Sequence, residues 1–140
     1  MKRLLLILVV FLCGCATYQG QTSWDSHQRE TITTKIFDYS YNKVFNATLE
    51  AFEGGGYSIQ TADKESGIIN TGFKSLSDAF GTKKIKLYAR IKEITETQAK
   101  VKINIHVEGY SDVFGVSIAD NVIGEGHYRK VFLEIVMRLK

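Results

Sequence analysis

The sequence predicts an α+β domain of two layers, in which a curved antiparallel sheet of about five strands packs helices against one face. Apolar and polar residues alternate through 84–92 and again through 100–107, which is typical of two paired strands with one buried face. Apolar residues recur at helical spacing through 44–52 and 128–139. The predicted order is β-α-β-β-β-β-α, which favours an antiparallel sheet with helices on one side.

The first strand and the first helix are predicted between residues 31 and 54. β-branched residues are dense in 31–37 and favour a strand. Ser40 is a suitable N-cap for the helix that follows, and the glycine run 54–56 is suited to end it. A phosphate-binding loop would instead lead from a strand into a helix and end in Gly-Lys-Ser/Thr. The run is therefore predicted to be a helix terminator.

A short hairpin precedes the long one. Strands are predicted at 57–62 and 68–73, joined by the polar turn 63–67. Asp63 and Glu65 in this turn are paired carboxylates. We interpret them as turn formers, because a solvent-facing turn gives no reason for their proton affinities to differ as an acid/base pair requires.

The last helix is predicted from about Glu125 to Lys140. It should pack on the buried face of the long hairpin, because its apolar residues form one stripe and its charged residues lie outside that stripe. The stripe consists of Tyr128, Val131, Phe132, Ile135 and Leu139.

The solvent-facing side of the long hairpin is predicted to be strongly basic, with Tyr88 and His106 interleaved among the cations. Such a stripe could attract anionic lipid headgroups, lipopolysaccharide phosphates or an acidic protein, and salt would confine the attraction to about 10 Å. A solvated face whose lysines discourage aggregation is the alternative. The basic residues of this face are Lys84, Lys86, Arg90, Lys92, Lys100 and Lys102.

Two connections, 74–82 and 109–124, are long and carry apolar residues. Loops of this length are usually functional or partly structured. Their apolar side chains would either dock on a partner or a membrane, or cover the open end of the core. The residues of these candidate contact loops are Leu76, Phe80, Val113, Phe114, Val116 and Ile118.

The amino-terminal segment is typical of a secretory leader. Lys2 and Arg3 precede an unbroken apolar run from Leu4 to Cys13, and a polar segment follows. A membrane-spanning helix needs about 20 apolar residues, roughly twice this run, so the run is too short to serve as a transmembrane anchor.

The sequence Leu-Cys-Gly-Cys at 12–15 resembles the lipobox of bacterial lipoproteins. The resemblance implies that residues 1–14 are removed as a signal peptide, that the Cys15 thiol carries a diacylglyceryl group, and that the new amine is acylated. Two or three such chains would hold the protein in the lipid bilayer, whereas one chain binds only marginally. Ala16, in place of aspartate, implies the outer membrane of a Gram-negative cell, with the domain facing the periplasm. In a Gram-positive cell the signal would imply the outer face of the plasma membrane.

Residues 15–30 are predicted to be a flexible tether, because they are rich in Thr, Ser, Gln and Gly and show no hydrophobic period. A single domain is predicted over 31–140. Tyr18 and Trp24 in the tether are either interfacial anchors or incidental exposed aromatics, and the second interpretation is favoured.

Composition and spacing argue against several function classes. The formal net charge of +3 falls to +1 once the leader is removed, since 16 basic side chains then stand against 15 acidic ones. The net charge therefore gives no argument for a nucleic-acid partner, and none is expected. The two cysteines and three histidines show no metal-ligand spacing, so no metal is expected. Ser66, His106 and Asp112 supply the residue types of a hydrolase, but nothing in the sequence places them together.

The stretch 39–69 is similar to small envelope lipoprotein domains of the helix-grip or TBP-like type, such as those of the C lipoprotein of the outer-membrane β-barrel assembly machinery. The matching positions are turns and core residues: Tyr39, Val44-Phe45, Gly56-Tyr57, the turn 63–67 and Ile68-Ile69. The resemblance implies no catalytic residue, and no cofactor is expected besides the covalent lipid.

These observations together predict a non-enzymatic accessory or interaction module that is anchored in the bacterial envelope. Its partner would be an envelope protein or an anionic envelope component, besides the bilayer that the acyl chains enter. The alternative is a carrier that holds a small apolar ligand or lipid in a cavity between the sheet and a helix.

Overall fold

The computed structural model describes residues 24–78, 81–111, 116–119 and 124–140. Within these ranges, seven antiparallel strands form one sheet and three helices accompany it, which confirms the predicted α+β class. In chain order the elements are α1 (Ser26–Thr33), β1 (Thr34–Phe37), α2 (Tyr41–Gly54), β2 (Ile59–Asp63), β3 (Ile68–Thr71), β4 (Lys74–Asp78), β5 (Gly81–Thr95), β6 (Gln98–Ser111), β7 (Val116–Ala119) and α3 (Glu125–Leu139).

The β5–β6 hairpin is the centre of the sheet. Its strands are 15 and 14 residues long, and each has an outer edge that two short strands share. β1 and β7 both pair with β6, β3 and β4 both pair with β5, and β2 extends the sheet by pairing with β3. The prediction of about five strands was too low because each edge of the hairpin carries a second short strand.

A one-residue bulge separates β3 from β4. Asn70 lies opposite Tyr88, whereas Lys74 lies opposite Ile85, so this edge holds one residue more than β5 does between the two pairs. A single strand through residue 73 would have turned Phe73 toward the core. The bulge at Gly72 turns Phe73 to the opposite face instead.

The core lies between the hairpin and two helices. Odd-numbered residues of β5 and β6 form the face that we call the inner face, and those within 85–91 and 99–103 have side chains buried against α2 and α3. Phe52 of α2 and Ile135 of α3 are 1% and 0% exposed. The predicted alternation and both predicted helical stripes are therefore confirmed. The buried residues of the inner face are Ile85, Leu87, Ala89, Ile91, Ala99, Val101 and Ile103.

Glycine and aspartate form the two predicted chain reversals. The Gly55 N–H donates to the Ala51 carbonyl at the end of α2, and Gly56 continues the turn with a φ of 77°. In the next turn, the Asp63 carboxylate accepts hydrogen bonds from the N–H groups of Glu65 and Ser66 and from the Ser66 hydroxyl. These bonds lower the pKa of Asp63. The carboxylate therefore has a structural role in the turn.

The folded part of the chain begins earlier than predicted. Residues 26–33, assigned partly to the tether and partly to the first strand, form α1. The Asp25 carboxylate accepts from the Gln28 N–H at 2.8 Å, and the Gln28 side chain accepts from the Asp25 N–H at 3.2 Å. Trp24 packs edge-on against Tyr128 with ring centroids 6.1 Å apart, so it belongs to the domain. The helix lacks an apolar stripe, which is why hydrophobic periodicity does not reveal it.

Candidate functional site

The sheet face opposite α2 and α3, which we call the outer face, consists of the even-numbered residues of β5 and β6. Strand register places all six predicted basic residues on it. Residues 84 to 92 span about 26 Å at about 3.3 Å per residue. The rows across the hairpin are Lys92 opposite Lys100, Arg90 opposite Lys102, Tyr88 opposite Asn104, Lys86 opposite His106, and Lys84 opposite Glu108.

Two of these rows place cations directly opposite each other, Arg90 with Lys102 and Lys92 with Lys100. Like charges in this arrangement destabilise a sheet. Glu30 of α1 offsets one of them, since its carboxylate accepts from the Lys102 ammonium at 2.7 Å, and this bond lowers the pKa of Glu30. Within the described ranges, Arg90, Lys92 and Lys100 have no carboxylate within 4.0 Å. The fold leaves positive charge here that an external anion would neutralise.

A groove with a volume of about 540 Å³ crosses the middle of the outer face, and we call it the outer groove. The Phe73 side chain is 44% exposed, and its ring centroid lies 5.9 Å from that of His106 and 5.9 Å from the Lys86 ammonium. The His106 ring also approaches the Glu108 carboxylate at 3.3 Å. Asn70, Tyr88, Asn104 and Ile105 complete the lining.

Asn70 has an unusual environment in this groove. Its side-chain oxygen is buried and, alone among the buried side-chain polar atoms of the described residues, has no hydrogen-bond partner. Such an atom costs about 1–3 kcal/mol when it stays unpaired. Because the atom is buried, a donor from outside the protein reaches it only when neighbouring residues of the groove move.

A second cavity, of about 560 Å³, lies on the inner face between the end of α2, β4 and the start of α3, and we call it the inner cavity. The Lys74 ammonium donates to the Gly55 carbonyl at 2.6 Å and lies 5.3 Å from the centroid of the Tyr57 ring. Burial raises the pKa of the Tyr57 hydroxyl. The apolar part of the lining includes Ala51, Phe52, Leu76, Ile85, Leu87, Ile105 and Val131, and the polar part includes His127, Lys130 and Glu134.

The described parts of 74–82 and 109–124 belong almost entirely to strands, which corrects the prediction that these residues lie in connections. Leu76 is a β4 residue, 42% exposed, and lines the inner cavity. Val116 and Ile118 belong to β7 and pair with Ser111 and Gly109 of β6. Phe80, Val113 and Phe114 lie outside the described residues. β4 and β7 pair with the end of the β5–β6 hairpin that lies away from its turn, and this pairing explains some of the apolar residues in 74–82 and 109–124.

The predicted anchor, Cys15, also lies outside the described residues, as do positions 16–23 of the predicted tether. None of the helices between residues 24 and 140 that the structure describes has both the length and the apolar character needed to cross a bilayer.

The residues considered for chemistry have other contacts. The Ser66 hydroxyl donates to the Asp63 carboxylate at 2.6 Å, and the His106 ring contacts Glu108, while Asp112 lies outside the described residues. In the part of the chain that the structure describes, no group of three or more His, Cys, Asp or Glu side chains is placed to hold a metal ion. The described contacts of Ser66 suit a turn.

Sequence reasoning found the cations of the outer face but missed the outer groove. Phe73 reaches it only through the bulge between β3 and β4, whereas Asn70 lies on the outer face by the regular alternation of β3. The available signal was an asparagine within the apolar strand 68–73, followed by Gly72, since a glycine inside a strand often marks a bulge.

No protein-family model matches the chain, and no curated protein matches it at a significant level. A functional assignment therefore rests on the chemistry of the outer face, the outer groove and the inner cavity.

Proposed function

We propose that the chain is a lipid-anchored, non-enzymatic interaction module of the bacterial envelope, whose outer face contacts an anionic envelope component. One observation supports the contact above all. Six cations share a face that neither α2 nor α3 covers, and two rows hold like charges opposite each other. A fold that retains such repulsion gains stability when an anion binds there.

The anchor in this proposal is Cys15 with its fatty chains, and the location is the outer membrane, facing the periplasm. Lipid attachment would keep the domain at a membrane surface, where even a weak electrostatic contact becomes effective because the local concentration is high. The similarity to helix-grip lipoprotein domains supports a binding role without catalysis.

Replacement of the anchor residue tests the location. The Cys15→Ser variant is expected to lose its fatty chains, to keep residues 1–14 or to leave the membrane fraction, because the thiol that accepts the lipid is gone. Mass spectrometry of the full chain and fractionation of cells measure both effects. Cys13→Ser is the matched control and should remain acylated and membrane-bound. A Cys15→Ser chain that is still acylated would contradict the assignment.

The second candidate function is a carrier of a small apolar ligand or lipid. The inner cavity supports it, since about 560 Å³ lies within the range of volumes that small-molecule sites occupy and much of the lining is apolar. Lys74 and Lys130 at this cavity suit a ligand with an anionic head.

Photo-crosslinking in cells separates the two functions. A photoreactive residue at Tyr88 or Asn104 on the outer face should yield adducts with a large envelope component, whereas one at Glu50 of α2 should not. The yield should fall when Lys86 and Arg90 are both replaced by glutamine, because the contact depends on charge.

The carrier predicts a different outcome from the same experiment. Adducts of lipid mass would form from Leu76 or Val131 in the inner cavity, and the outer face would give none. That result would replace the interaction module with the carrier.

A further inference from the structure

We propose that the outer groove binds an acidic glycan, with one sugar in the groove and the rest of the chain along the cations of the outer face. This inference rests on the proposed function in one respect, namely that the outer face is the contact surface. It adds the chemical class of the partner.

The unpartnered oxygen of Asn70 favours a ligand that donates a hydrogen bond. A hydroxyl or N–H group that enters the groove and displaces the residues covering this buried oxygen would supply the partner that the fold does not provide. Fully ionised phosphate and carboxylate groups supply only acceptors. An anion that pairs with this oxygen must therefore also carry a donor, which is a hydroxyl group in an acidic sugar and a backbone N–H group in an acidic peptide. The remaining groups of the outer groove favour the sugar.

The other groups of the outer groove fit the same ligand. The exposed ring of Phe73 offers an apolar surface on which the C–H face of a pyranose can pack. Asn104 and Tyr88 lie side by side across the hairpin and provide amide and hydroxyl groups that both donate and accept. Lys86 stands next to Phe73, its ammonium 5.9 Å from the ring centroid, where it can pair with an acidic substituent of the same sugar.

The length of the charged surface indicates a chain rather than a single sugar. From Lys86, the rows of Arg90 and Lys92 continue toward the hairpin turn, and Lys102 and Lys100 lie opposite them on β6. Lys86 and Lys92 are about 20 Å apart at about 3.3 Å per residue, which is several sugar lengths. A linear acidic glycan would neutralise both like-charge rows while one of its sugars occupies the groove.

The test compares soluble probes on the full chain, purified in a mild detergent. The probes are a galacturonic acid hexamer, a neutral glucose hexamer, a glutamate hexapeptide and a linear hexaphosphate. They separate sugar chemistry from charge alone, since the last two carry charge without sugar hydroxyls. The galacturonate hexamer is expected to bind tightest, and added salt should weaken it.

Two variants locate the sugar. Asn70→Ala removes the unpartnered acceptor and should weaken the galacturonate hexamer about fivefold, as one net hydrogen bond requires, without changing binding of the linear hexaphosphate. Phe73→Ala should also weaken binding of the galacturonate hexamer. The melting temperature of Asn70→Ala should not fall, because the variant loses a group that was unpaired. Lys43→Gln on α2 removes one positive charge on the opposite side of the sheet from the groove and should change nothing.

Three other outcomes overturn the inference, and they treat the proposed function differently. If all three polyanions bind equally and Asn70→Ala has no effect, the glycan is wrong while an anion-binding outer face stands. If the hexapeptide or the hexaphosphate binds tightest, an acidic protein or a lipid phosphate surface is the partner instead. If no polyanion binds at millimolar concentration, both the inference and the anionic contact of the proposed function fail.

Discussion

Gly67→Ala is expected to destabilise the domain by about 3 kcal/mol, one of the largest effects of a single methyl group in this fold. Gly67 has a φ of 71°, which residues with a side chain adopt at a cost of about 1–2 kcal/mol. A Cβ at this position would also lie well inside van der Waals distance of the Ile91 carbonyl oxygen. The backbone cannot retreat easily, because the Ile91 N–H donates to the Gly67 carbonyl at 2.8 Å.

Urea unfolding measures this effect as a lower midpoint with an unchanged slope. Gly126→Ala is the matched control. Gly126 lies in the first turn of α3, no described atom is within 4 Å of a Cβ built there, and alanine favours the helix. The free energy of unfolding of the Gly126→Ala variant should stay the same or rise slightly. A loss below about 1 kcal/mol for Gly67→Ala would show that the turn has room that the structure does not provide.

Thr71→Val should cost about 2 kcal/mol, although it preserves shape and adds no polar atom. The Thr71 side chain is fully buried at the bulge, where β5 has lost a regular strand partner. Its hydroxyl accepts from the Leu87 N–H at 2.9 Å and donates to the Gly72 carbonyl at 3.0 Å. Valine leaves the Leu87 N–H buried without an acceptor, and such a group costs about 1–3 kcal/mol.

Thr48→Val provides the matched control, because Thr48 is equally buried but its hydroxyl only donates to the Val44 carbonyl within α2. That carbonyl keeps its helical bond, so the change should be close to neutral. Urea unfolding of both variants gives the comparison. Equal losses for the two variants would mean that the bulge does not depend on the Thr71 hydroxyl.

The parts of the fold with a strict period could be predicted from the sequence. Alternation in 84–92 and 100–107 correctly predicts the hairpin and its inner face, and the stripes of α2 and α3 are correctly placed. These features are predictable because one set of residues is buried and the other is solvated. The turn at 63–67 was predictable from the local chemistry of aspartate and glycine.

The parts of the fold that could not be predicted depend on contacts between residues distant in sequence. β4 and β7 are short strands that exist because each pairs with an end of the long hairpin, and neither has a period of its own. The outer groove depends on a one-residue shift in register, which pattern reading resolves poorly. For Trp24, the packing partner Tyr128 is more than 100 positions away.

The two ends of the long hairpin differ in the elements that flank and cover them. Near its turn, β1 and β3 flank it and the helices cover it, so substitutions there disturb a shared interior. Toward its open end, β4 and β7 flank it, and each is held by backbone pairing to a strand that is already secured elsewhere. The open end can therefore change its residues while the remainder keeps the molecule folded.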